Sequence, residues 1–91
     1  MAKFNYILTL DNTQNYNSNN LDKKLDLALD WLKLMPGVYF ISSTSDVNKW
    51  YERIKAALPN NRFFITKVDI SNDDYVGWLS RTKWDWIKKK K

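Results

Sequence analysis

A chain of 91 residues with no cysteine and no histidine has no disulfide, no thiolate nucleophile and neither the commonest general base nor the commonest zinc ligand. Serine-protease-type triads, zinc sites and histidine-dependent nuclease mechanisms are thereby excluded. The formal net charge of +5 is a property of one end: residues 81–91 hold six basic residues and one acid, and the other eighty balance at nine of each sign.

Residues 3–11 (KFNYILTLD) open the chain as a strand. Phe4, Tyr6, Leu8 and Leu10 share one face, and Asn5, Thr9 and Asp11 share the other with Ile7, the alternation of a half-buried strand. Residues 12–20 contain five Asn and no aliphatic side chain, so they form a loop. Asn20 is placed to cap a helix in which Leu21, Leu25, Ala28, Leu29 and Leu32 recur at helical spacing. Asp22, Asp26 and Asp30 lie on its opposite side, a solvated face rather than a metal cluster. Pro36-Gly37 then separates WLKLM from VYFISS. Either the helix runs to about Met35 and one strand follows, or it stops near Asp30 and a hairpin follows; periodicity alone leaves both open.

Residues 46–58 form a second amphipathic helix through Val47, Trp50, Tyr51, Ile54, Ala57 and Leu58, capped by Ser45 or Asp46 and ended by Pro59-Asn60-Asn61. Residues 62–70 are a strand with Phe64, Thr66, Val68 and Ile70 on one face. A turn at Ser71-Asn72-Asp73-Asp74 leads into a last helix. Tyr75, Trp78, Leu79, Trp86 and Ile87 share its stripe, Trp84 falls off it, and acids at the start and lysines at the end suit the macrodipole.

The order is β-α-β-(β)-α-β followed by a C-terminal helix. With the hairpin it is the split βαβ pattern: an α+β, ferredoxin-like, four-stranded antiparallel sheet with two helices on one face. Residues 1–72 form that body, and residues 73–91 form a C-terminal helix and basic tail of the same domain. Five Trp, five Tyr and four Phe give a short chain a core, since large rings bury roughly 150–250 Å² each. No run approaches the ~20 apolar residues of a membrane span. Lys3 precedes a short strand-like run rather than a long apolar one, so no signal peptide and no membrane partner are expected, and the expected compartment is the cytoplasm.

The opening YILTLD, the hairpin region running into VYFISST, the helix DVNKWYERIKAAL and the closing GWLSRTKWDWIKKK resemble small bacterial proteins of the SinR family. These are unrelated to the helix-turn-helix repressor of similar name. They are similar to the small CRISPR-associated ferredoxin-like protein of the spacer-integration complex. The resemblance implies a strand pair over residues 30–43, a homodimer formed through the sheets, and contact with nucleic acid. It also implies that Asp11, at the end of the first strand, lies near the dimer axis and holds Mg²⁺ with its symmetry mate as the metal ligand and catalytic residue of a nuclease. The sequence departs from that pattern around Asp11, where Leu10 and Asn12 flank it and an Asn-rich loop replaces the usual basic residues.

Two constellations carry chemistry. Asp11 supplies the oxygen ligand that a hard cation prefers. Arg81, Lys83, Lys88, Lys89, Lys90 and Lys91, with Trp84 and Trp86 between them, combine phosphate-binding charge with rings on which bases stack. The leading expectation is a nonenzymatic, homodimeric, nucleic-acid-associated protein without a cofactor. The alternative is a protein-interaction module, a phage or defence-system factor that docks on a larger protein through its sheet edge or tryptophans. The third is a Mg²⁺-dependent nuclease using Asp11. An open sheet face carrying Asn5, Ile7, Thr9 and Asp11 is expected to serve a dimer interface.

Overall fold

Four strands pair into one antiparallel sheet in a computed structural model that describes residues 3–11, 13–71 and 75–90. They are β1 (Phe4–Leu10), β2 (Asp30–Met35), β3 (Val38–Ser43) and β4 (Phe63–Val68), in the order β2-β3-β1-β4. Three helices accompany them: α1 (Ser18–Leu25), α2 (Val47–Ala57) and α3 (Arg81–Lys88). The strand order and the antiparallel pairing are those of a ferredoxin-like α+β fold with an added C-terminal helix. No described helix is long and apolar enough to cross a membrane.

The period-two alternation of β1 decides which side is the main core. Tyr6, Leu8 and Leu10, with Tyr39 and Ile41 of β3, pack against Leu21 and Leu25 of α1 and Trp50, Ile54 and Ala57 of α2. Each of these Leu and Ile side chains, once fully buried, adds roughly 1.5–3 kcal/mol to the driving force. Tyr6 and Tyr39 bring hydroxyls into this layer, and each has a partner. Tyr6 Oη donates to the Ser45 carbonyl at 2.6 Å, and the Tyr16 and Tyr39 hydroxyls share a 2.8 Å hydrogen bond. Burial, and then the bond to Tyr16, pushes the Tyr39 hydroxyl well above the usual phenol range.

The hairpin reading of residues 30–43 holds. Asp30 stands opposite Ser42 and Leu32 opposite Phe40, with a bulge between Lys33 and Met35. Gly37 turns the chain at φ 80°, a left-handed value that costs any residue with a Cβ, and its carbonyl accepts from Leu10 N–H at 2.7 Å.

Three helix boundaries differ from the sequence reading. The first helix is capped by Asn17, whose side chain accepts from Asn20 N–H, and it ends at Leu25. Leu29 and Leu32 continue its period, but Leu29 N–H bonds to the Ser42 carbonyl and Leu32 joins β2, so sheet pairing overrides the helical pattern. The last helix starts at Arg81, where the Ser80 hydroxyl caps Lys83 N–H. Residues 75–80 are irregular, so Tyr75, Trp78 and Leu79 do not share a helical stripe with Trp86 and Ile87. Asp73 and Asp74, read as helix-start acids, lie outside the described residues.

An apolar groove on the second face of the sheet

The inter-strand register sends Ile7 of β1, Phe40 of β3 and Thr66 of β4 to the same row, on the side away from α1 and α2. That side is covered in part. α3 lies over it through Ile87, which is buried with Leu34, Phe40 and Ile70, and Trp84 and Trp86 pack around the same cluster. Trp86 meets Phe40 edge-on at 5.3 Å between centroids, and Trp84 stacks on Tyr75 at 6.0 Å. The face expected to remain open is therefore covered over Asn5, whose amide donates to the Lys90 carbonyl at 3.4 Å. Ile7 lies in the covered cluster as well, and Thr9 stays exposed. A partner approaching this side meets α3 and the 75–80 segment, not a bare β1.

Between that segment and the sheet runs a groove of about 460 Å³. Ile7, Leu34, Phe40, Val68, Ile70 and Leu79 are among its lining side chains, and Met35, Val76 and Trp78 stand along its lip. Trp78 is 99 % exposed and Val76 96 % exposed, so neither side chain is packed into its own fold. Scattered exposed apolar residues are ordinary on protein surfaces; an indole and an isopropyl group fully in water beside an apolar groove are not.

The cationic residues named from the sequence divide into two groups here. Arg81, Lys88 and Lys89 point outward from α3 and are exposed. Lys83 and Lys90 are engaged with the sheet. Lys83 Nζ donates to the Leu34 carbonyl at 2.7 Å, and Lys90 Nζ lies 2.7 Å from Asp30 Oδ2 and 4.8 Å from the Trp86 ring centroid. The Lys90 hydrogen bond, set against some desolvation, holds the Asp30 carboxyl below the usual carboxylate range. Lys91 lies outside the described residues. Trp84 and Trp86, named from the sequence as rings on which bases stack, are half-buried and pack on Tyr75 and Phe40 respectively.

Asp11 is held on both oxygens. Oδ1 accepts from the Thr13 backbone N–H at 2.9 Å and the Thr13 hydroxyl at 2.6 Å; Oδ2 accepts from Arg62 Nε at 2.9 Å and Nη2 at 2.6 Å. The Thr13 hydrogen bonds first, and then Arg62, bring its pKa down to about 2. Among the described residues no group of three or more acidic side chains stands together. The acids at 22, 26 and 30 do not form one helical stripe either: Asp26 caps the C-terminus of α1 and accepts from Trp31 Nε1 at 3.0 Å, and Asp30 begins β2.

The groove is not visible in the sequence, because helical spacing puts its lip residue, Trp78, on one stripe with Trp86 and Ile87, whereas residues 75–80 are irregular. No family model matches the chain, and neither a curated protein nor a solved structure does.

Proposed function

We propose that this protein is a nonenzymatic interaction module that seats a segment of another protein, through bulky apolar side chains, in the groove beside Trp78. The observation that carries this reading is the exposure of Trp78 and Val76 on the lip of an apolar groove. Hot spots of protein interfaces are enriched in Trp set beside pockets that exclude water, and about 460 Å³ lies in the size range of functional clefts. The Asp11 carboxylate is engaged by Thr13 and Arg62, and the reading asks no chemistry of it.

A selection from a random peptide library, run in parallel on the native chain and on Trp78→Ala, tests this. Peptides enriched by the native chain and lost with Trp78→Ala establish the groove as a docking site. A selection that yields no sequences, or the same ones from both proteins, sinks the reading.

Association with nucleic acid is a second reading, favoured by Arg81, Lys88 and Lys89 standing exposed on α3. Anisotropy with labelled single-stranded DNA, duplex DNA and RNA at low and moderate salt checks it. Binding that fades steeply with salt and disappears when those three residues become Ser supports it; no binding at low salt removes it.

A further inference from the structure

We infer that β4 pairs edge to edge with β4 of a second copy of this chain, joining two sheets about a two-fold axis at Ile65. This contact uses the rim of the sheet, not the face expected from the sequence, and it holds whether or not the groove binds a peptide.

Backbone parity decides which groups reach that rim. Leu10 N–H bonds to the Gly37 carbonyl on the β3 side, and Asp11 N–H bonds to the Arg62 carbonyl on the β4 side. Successive residues of a strand bond to opposite neighbours. Asn5, Ile7 and Thr9 therefore serve β4, through Val68, Thr66 and Phe64 in register. Phe63, Ile65 and Lys67 turn their N–H and C=O groups away from β1, and β4 is the last strand of the sheet. Among the described residues, the outward groups of Phe63 and Ile65 have no hydrogen-bond partner, and the Lys67 carbonyl has only the Thr66 hydroxyl at 3.4 Å.

The opposite rim is closed. The same parity leaves Trp31 of β2 outward, and its N–H is held by the Asp30 carboxylate at 2.9 Å. The Leu34 carbonyl is taken by Lys83 Nζ, and a bulge between Lys33 and Met35 interrupts the strand. Bulges and charged side chains are how sheets blunt an edge against other chains. β4 has a regular register and one lysine, whose ammonium lies over the Phe4 ring of β1 at 5.4 Å from its centroid and so leans over its own sheet.

One open rim and one closed rim allow a pair and stop it there. An isologous contact consumes the open edge of both copies, whereas two open edges would let sheets add without end. The outward residues are also symmetric about Ile65. Antiparallel pairing there sets Ile65 against its own mate and Phe63 against the second copy's Lys67. The two lysines then stand at opposite ends of the ladder, which avoids the cost of like charges directly opposite. Aromatic rings flank the rim on both faces. Phe64 is 68 % exposed on one, and Tyr51, stacked on Phe63 at 5.5 Å between centroids, is exposed on the other. These rings give the ladder apolar area to bury beside its hydrogen bonds. Six residues of strand make a contact at the small end of specific interfaces, so the dimer is reversible and sits at the micromolar end of the affinity range.

Sedimentation velocity across a broad concentration series, with amide hydrogen exchange read by NMR at its two ends, tests this on the full chain. The expected result is a monomer–dimer equilibrium in which the Phe63, Ile65 and Lys67 amides become protected as the dimer forms. The Phe64, Thr66 and Val68 amides, bonded to β1, should be protected at both ends. Lys67→Pro removes one outward N–H from each copy, a change an edge strand tolerates, and should weaken association about tenfold or more. Lys67→Ala should leave it unchanged within about twofold. A chain that stays monomeric throughout, or that assembles past two copies, overturns the inference. So does a dimer whose outward amides exchange freely, or one lost with Trp78→Ala and kept with Lys67→Pro, which would place the contact at the groove. Thermal unfolding checks that Lys67→Pro folds; where it does not, the exchange pattern of the native chain decides.

Discussion

Lys90 closes the C-terminal helix onto the far edge of the sheet by pairing with Asp30, Nζ to Oδ2 at 2.7 Å, while the same ammonium lies over the Trp86 ring. Sixty residues separate the two partners, so this contact ties the last helix to the first residue of β2. The Asp30 side chain is 43 % exposed against 18 % for Lys90, and solvent screening holds the pair to a coupling of about 0.5 kcal/mol. A double-mutant cycle with Asp30→Asn and Lys90→Met, read by urea denaturation, should return that value. Additive single effects would show that the contact is incidental.

The same pair makes the C-terminal end acid-sensitive. The folded Asp30 carboxyl titrates below its unfolded value, so its contribution is fully present above the ordinary Asp pKa near 4 and is lost as pH falls through the lower folded value. Asp11, with its pKa of about 2, behaves in the same sense. Indole NMR signals should report it: the Trp86 resonance should shift below about pH 4 in the native protein, with the change absent in Asp30→Asn. A Trp86 signal that titrates identically in both would refute the assignment.

The two tryptophans on this side should respond oppositely to truncation. Trp86→Ala removes a half-buried ring from Phe40 and should destabilise by roughly 2–3 kcal/mol, less than a fully buried Trp. Trp78→Ala should leave stability within about 0.5 kcal/mol, because the side chain touches little of the fold. Chemical denaturation of both variants checks the contrast, and a large loss for Trp78→Ala would mean that it packs in solution.

Gly37 should resist substitution. Its φ of 80° places a Cβ in the left-handed region, at about 1–2 kcal/mol, so Gly37→Ala should lower the urea midpoint while Gly37→Asn, a residue that tolerates αL, should lower it less. Equal effects would point to crowding rather than to backbone conformation.

Much of the body was readable from local pattern. The alternation through Tyr6, Leu8 and Leu10 predicted which face of β1 is buried, and Val47, Trp50, Ile54 and Ala57 located α2 to within a residue. What misled was periodicity shared by different structures. Leu21, Leu25, Ala28, Leu29 and Leu32 keep one helical rhythm, yet hydrogen bonds to β3 draw the last two away from α1. Tyr75, Trp78 and Leu79 are in phase with Trp86 and Ile87 in the sequence, but the Ser80 cap starts the helix later. The candidate tail suffered the same limit. Sequence grouped Lys83, Trp84, Trp86 and Lys90 with Arg81 and Lys88, while tertiary contacts to Leu34, Tyr75, Phe40 and Asp30 separate structural members from exposed ones.

Because α3 follows every strand in the chain, the apolar side of Ile7, Phe40 and Val68 has no cover while the protein is being synthesised. The nascent chain can complete β1, β3 and their helices and still show water a sticky plane. Exposed apolar surface of this kind favours self-association. Delivery of α3 is thus the step that covers this plane, and a premature stop before Arg81 would leave it in water.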